Sequence, residues 1–137
     1  NPEEYDIAYR HVSGPQNEWF VAAVLNLEAG DTEAGQARIK ELLARRGESQ
    51  PTQQPNAGSV FRNPENDFAA RLIEACGLKG ECEGAACVSE KHANFIINTG
   101  GAKAADVENL INRVAAIVND QQGVKLKREV HIVGEEM

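Results

Sequence analysis

An eleven-residue stretch, Gly47 to Ala57 (GESQPTQQPNA), crosses the chain with two prolines and no apolar periodicity. Such a stretch extends neither a helix nor a central strand, so it predicts a boundary or an extended crossing segment. It divides 137 residues into two pieces, a length that suits one domain, or one domain plus a part of a neighbour. Hydrophobic residues at 42% are enough for a core, and charged residues at 26% exclude disorder throughout. A formal net charge of −7 excludes the basic footprint of a nucleic-acid-binding protein. The longest apolar run, the seven residues Trp19 to Leu25, falls far short of the roughly 20 that span a bilayer. Pro2, Glu3, Glu4 and Asp6 replace the basic and apolar start of a signal peptide. A cytoplasmic protein is therefore expected. The first residue is Asn1 rather than Met, from which a trimmed start and a longer parent are expected.

Before the break, residues 19–27 (WFVAAVLNL) predict a strand buried on both faces. Gly30 and Asp31 end it and open a helix, with Asp31 or Thr32 as N-cap. Ile39, Leu42, Leu43 and Arg46 keep helical spacing and predict a buried stripe.

After the break, Ser59 to Phe61 predicts a short strand stopped by Asn63-Pro64. Asn66 is expected to cap a helix whose Ala69, Leu72, Ile73 and Cys76 share one face, with Gly77 at its end. Val88 and Asn94 to Asn98 predict two more strands around the turn Ser89 to His92. The clearest helix follows Gly100-Gly101, through Val107, Leu110, Ile111, Val114, Ile117 and Val118, and stops at Gly123. From Val124 to Ile132 the residues alternate. Val124, Leu126, Val130 and Ile132 face one way with Arg128; Lys125, Lys127, Glu129 and His131 face the other. Helices and strands without strict βαβ repetition predict an α+β fold, a small mixed domain of short strands and two to three helices. Cys76, Cys82 and Cys87 match no zinc or redox spacing and are expected as free thiols.

No phosphate loop, dinucleotide fingerprint, nucleophile elbow or zinc-protease motif is present. Three local features carry chemistry. Ser59 follows small residues that permit close approach, and nothing nearby in sequence could act as a base to make it a nucleophile. It is either a turn serine or a hydroxyl that donates a proton or hydrogen bond. Glu129, between Lys127 and His131, is either part of a solvated strand face or a functional carboxyl group. Arg10, in Tyr9-Arg10-His11, is either an exposed cation or a fork for a carboxylate or phosphate.

Taken in order, these segments resemble the C-terminal part of the UDP-N-acetylenolpyruvoylglucosamine reductase family. The carriers are Tyr9-Arg10, Gly58-Ser59-Val60-Phe61-Arg62-Asn63-Pro64, Gly77-Leu78-Lys79-Gly80, Val88-Ser89-Glu90-Lys91-His92-Ala93-Asn94-Phe95, and Glu129-Val130 with Gly134. Departures occur at Val12-Ser13, at Ser49 and at Gly84 to Cys87, none at the three candidate catalytic positions. The resemblance implies a bacterial cytoplasmic flavoenzyme of peptidoglycan synthesis that uses FAD and NADPH. Its reaction adds hydride to an enolpyruvyl ether, so charge builds on the adjacent carbon and spreads into the substrate carboxylate. It further implies Arg10 as the cation at that carboxylate, Glu129 in protonated form as the donor beside it, and Ser59 as the general acid. Tyr9, Asn63 and His92 become substrate-binding positions, and no metal is implied. Residues 1–57 would then end a flavin-lining domain, as a strand-helix remnant plus linker, and residues 58–137 would form the substrate-binding domain. No glycine-rich flavin segment precedes Tyr9. The expected ligand is therefore UDP-N-acetylenolpyruvoylglucosamine, with FAD and NADPH bound in the full-length parent and none by this chain alone. A non-catalytic UDP-sugar-binding or interaction module is the alternative.

Overall fold

The structure, a computed structural model, describes residues 2–134. The chain divides into two compact units, Asn1–Thr32 and Glu33–Met137.

In the first unit a short 3-10 turn, Pro2–Glu4, leads into a hairpin of β1 (Asp6–Ala8) and β2 (His11–Ser13). The strands are antiparallel with Ala8 opposite His11, so Tyr9-Arg10 is a two-residue loop. Arg10 has φ +56 and its guanidinium lies 5.7 Å from the Tyr9 ring centroid. The Tyr5 ring leaves no room for a side chain on Gly14 and stacks at 5.3 Å on Phe20. Residues 19–27 do not form the buried strand expected of them. They lack regular secondary structure, and Trp19, Phe20, Val21 and Val24 are 80% or more exposed. A strand needs a hydrogen-bonding neighbour, and no strand among the described residues pairs with this run.

The second unit holds all but the first residue of α1 (Thr32–Ser49), then β3 (Asn56–Ser59), α2 (Ala69–Ala75), β4 (Cys82–Glu83), β5 (Ala86–Val88), β6 (Phe95–Asn98) and α3 (Ala104–Gln122). With its four antiparallel strands and segregated helices it is the expected small α+β domain. The sheet order is β3-β6-β5-β4. One face of it carries the core. Ala86, Val88 and Ile96 pack with Leu72 and Ile73 of α2 and with Leu110, Ile111, Val114 and Val118 of α3. Helix α3 ends where predicted, with Gly123 at φ +66 donating its N–H to Asn119 O.

Several expectations fail locally. Helix α1 runs through Gly47 to Ser49, three residues into the polar stretch, because the first true breaker is Pro51. No residue of α1 is buried, so its Ile39, Leu42 and Leu43 stripe remains exposed. Asn66 does not cap α2; it occupies a left-handed turn at φ +62, while Asn63 Oδ1 accepts the Ala69 N–H at 3.1 Å. Cys82 and Cys87 are not free thiols. The β4–β5 register sets them directly opposite, with Cα atoms 4.1 Å apart, and they form a disulfide, leaving Cys76 free. Residues 124–132 form no regular strand. Leu126 packs in the core, but the segment's strand pairing is one isolated antiparallel bridge, Phe61 to Arg128, because the chain leaves β3 at a bend after Ser59.

Candidate active site

Ser59 owes its place to a bulge. β3 is opposite β6 at Asn56–Ile97 and again at Ser59–Phe95, so two residues on β3 face one on β6. Gly58 supplies the left-handed φ of +82, which a side chain would strain, and its N–H is held at 2.9 Å by Asn56 Oδ1. The Asn56 amide in turn donates to Pro51 O and Gln54 O. The polar stretch is therefore tied into the bulge by one carboxamide. Ser59 emerges half-buried, and among the described residues its hydroxyl makes no hydrogen bond.

Glu129 reaches the same neighbourhood through the backbone. Its N–H donates to Val60 O at 2.8 Å, and Arg62 N donates to Lys127 O at 2.9 Å. Ser59 and Glu129 thus lie on adjoining segments locked through Val60, and both are half-buried. Asn63 is exposed, with its oxygen committed to the start of α2 and its amide nitrogen outside that bond.

His92 sits on the turn between β5 and β6. The buried Ser89 Oγ accepts the N–H groups of Lys91 and His92, which shapes the turn. The imidazole packs edge-on to Phe95 with centroids 4.8 Å apart. Asn94 N donates to its Nδ1 at 3.3 Å, which assigns the ring proton to Nε2. Burial holds this imidazole below its usual range, and the Lys79 charge pushes the same way. His92 therefore presents a neutral Nε2–H donor.

Ser59, Asn63, His92 and Glu129 all belong to the second unit, whereas Tyr9 and Arg10 form the loop of the hairpin in the first. Two residues of the motif carry more than sequence reasoning assigned to them. Asn94 is 4% exposed and fully engaged with the Ser59 segment. A buried asparagine inside an apolar strand start (NFIIN) is the signal that could have found it. The Arg62 Nε is buried without a hydrogen-bond partner among the described residues, a donor that an anionic or carbonyl group would satisfy.

A glycine-rich loop ahead of a helix is a common seat for a phosphate group such as a flavin's diphosphate. At Gly100-Gly101 before α3 the neighbouring donors are spent on side chains. Asn98 Oδ1 accepts from Gly100 N at 2.9 Å and from Ala102 N at 3.1 Å, and Asp106 Oδ2 accepts from Lys103 N. Nor do three His, Cys, Asp or Glu side chains among the described residues converge to hold a metal.

Fold and geometry together define a small α+β domain with polar groups gathered at a bulged edge strand and its two neighbouring segments. Residues 50–133 match the UDP-N-acetylenolpyruvoylglucosamine reductase C-terminal domain. Relatives named UDP-N-acetylenolpyruvoylglucosamine reductase from Alkalilimnicola ehrlichii and Methylococcus capsulatus are each 63% identical over 134 residues. Those alignments cover 98% of this chain and 45% and 44% of theirs. A crystal structure of UDP-N-acetylenolpyruvylglucosamine reductase (MurB) from Thermus caldophilus is similar at a TM-score of 0.79 and 35% identity. It covers 95% of this chain and 46% of that one. The chain belongs to the UDP-N-acetylenolpyruvoylglucosamine reductase family, and it spans less than half the length of these relatives.

Proposed function

We propose that this chain supplies the substrate side of a cytoplasmic reductase of bacterial cell-wall synthesis, acting on UDP-N-acetylenolpyruvoylglucosamine. We further propose that residues 1–57 end a flavin-lining domain and residues 58–137 form the substrate-binding domain. The reading rests above all on one observation. Ser59, half-buried and with its hydroxyl making no hydrogen bond among the described residues, and Glu129 are tied to the two sides of a single residue, Val60, in a chain of this family.

Reducing the enolpyruvyl double bond requires a hydride at the terminal carbon and a proton at the carbon beside the carboxylate. In the full-length protein FAD, with NADPH as its reductant, would supply the hydride. This chain handles charge and proton. Arg10 and a protonated Glu129 hold the substrate carboxylate, where negative charge develops. Ser59 passes a proton to the carbanionic carbon; a serine hydroxyl is too weak an acid to do so before that charge forms. Tyr9, Asn63 and the His92 Nε2–H line the bound sugar nucleotide. The chain alone would not turn over.

The test uses the full-length protein. Ser59→Ala should leave flavin reduction by NADPH within about twofold and slow reoxidation by the enolpyruvyl substrate at least about 100-fold. Equal slowing of both half-reactions would make Ser59 a turn serine. Glu129→Gln, which keeps a neutral donor, should lose less than Glu129→Ala; the reverse order removes the donor role.

A further inference from the structure

Asn94 makes four bonds that converge on this site. Its backbone O accepts the Val60 N–H at 2.9 Å. Its Oδ1 accepts the Phe61 N–H at 2.9 Å, and its Nδ2 donates to Phe61 O at 2.8 Å. Its own N–H donates to His92 Nδ1. The carboxamide thus closes a two-point clamp on the N–H and C=O of one residue, a geometry that neither aspartate nor leucine can copy, since it needs one donor and one acceptor.

The position of the clamp gives it consequence. Val60 and Phe61 follow Ser59 directly, and Phe61 precedes Asn63 by two positions. β3 has already ended at Ser59, so the regular ladder no longer holds this backbone. Val60 O is in turn the acceptor for the Glu129 N–H. Asn94 therefore joins the serine segment to the histidine turn and, through the Val60 backbone, to the glutamate segment. At 4% exposure water does not compete for its bonds.

We infer that Asn94 is a positioning residue that sets the register of Ser59, His92 and Glu129 without touching substrate. The inference deepens the reading of Ser59 and Glu129 above and rests on it. A clamp of this kind acts on the proton-delivery step, because a misplacement of about 1 Å costs on the order of 100-fold when reacting atoms must be aligned.

The test compares Asn94→Asp, Asn94→Ala and Ser59→Ala in the full-length protein. Asn94→Asp keeps the acceptor and removes the donor, and should stay folded. Two readouts are taken. Amide hydrogen exchange over 58–63 and 127–131 should quicken at least about tenfold in Asn94→Asp while β5 and α3 are unchanged. Reoxidation by substrate should slow at least about tenfold, in kcat rather than KM, with reduction by NADPH unaffected. Unchanged exchange in a folded variant overturns the clamp. Quickened exchange with unchanged reoxidation makes Asn94 structural only and overturns the positioning role. If Ser59→Ala leaves reoxidation untouched, it is the Ser59 reading that has failed, and the exchange result still decides the clamp. Should neither Asn94 variant fold, exchange in the unaltered protein decides: Phe61 N–H must be as slow as the β6 amides, and fast exchange there ends the inference.

Discussion

At the residue scale the site is made of small polar groups whose bonds are largely spent on backbone. Asn56, Asn63, Asn94 and Asn98 each direct a carboxamide at main-chain groups, to hold the bulge, start α2, clamp Phe61 and close the loop before α3. His92 gives the residue-scale prediction. Its imidazole is held below the usual value of 6.5 chiefly by burial, so below that pH the unfolded chain binds a proton that the folded one refuses. Its contribution to stability is therefore full above 6.5 and declines as pH falls through the window beneath it. Urea unfolding should show lower stability at about pH 5.5 than at about pH 7.5, and His92→Gln should flatten part of that slope. An identical slope in the variant refutes the assignment. Arg10 carries a left-handed backbone worth on the order of 1 kcal/mol of strain in a non-glycine residue. A functional demand for its side chain would explain why no glycine or asparagine stands there.

At the element scale the two long helices contrast. Both show apolar residues at helical spacing, yet α3 buries its face and α1 buries none. Leu110, fully buried in the core, should cost about 2–5 kcal/mol as Leu110→Ala. Leu42, 46% exposed, should cost less than about 0.5 kcal/mol as Leu42→Ala. Denaturant titration of the two variants checks the pair, and equal losses would mean α1 packs as tightly as α3. The short elements follow a different logic. β4 and β5 are two and three residues long, and their register is held by the Cys82–Cys87 disulfide and by Arg113 of α3, which bonds Glu83 and the Cys82 carbonyl. The spacing of those cysteines matches no metal template, and only the hairpin register makes them partners.

At the scale of the whole chain, the exposed run 19–27 matters most. Trp19, Phe20, Val21, Val24, Leu25 and Leu27 are each at least 76% exposed, a larger apolar array than an ordinary monomer surface carries. The 137-residue chain should bind an apolar dye and associate on concentration, and Trp19→Ser with Phe20→Ser should reduce both. Dye binding and sedimentation check this, and no change in either would mean the run is covered in solution. The α+β class, the α3 helix with its glycine stop, the β5–β6 hairpin turn and the family motifs were all readable from residue order. Each depends on neighbours within a few positions: periodicity, a cap, a turn. The tertiary structure alone decided the disulfide, the bulge that turns out Ser59, the exposure of α1 and the role of Asn94. These depend on which distant segment lies alongside: Asn94 meets Phe61 across 33 positions, and no local pattern encodes such a partner. For the same reason 19–27 looked like a buried strand: its composition states an affinity for burial, and only packing states whether a neighbour is there.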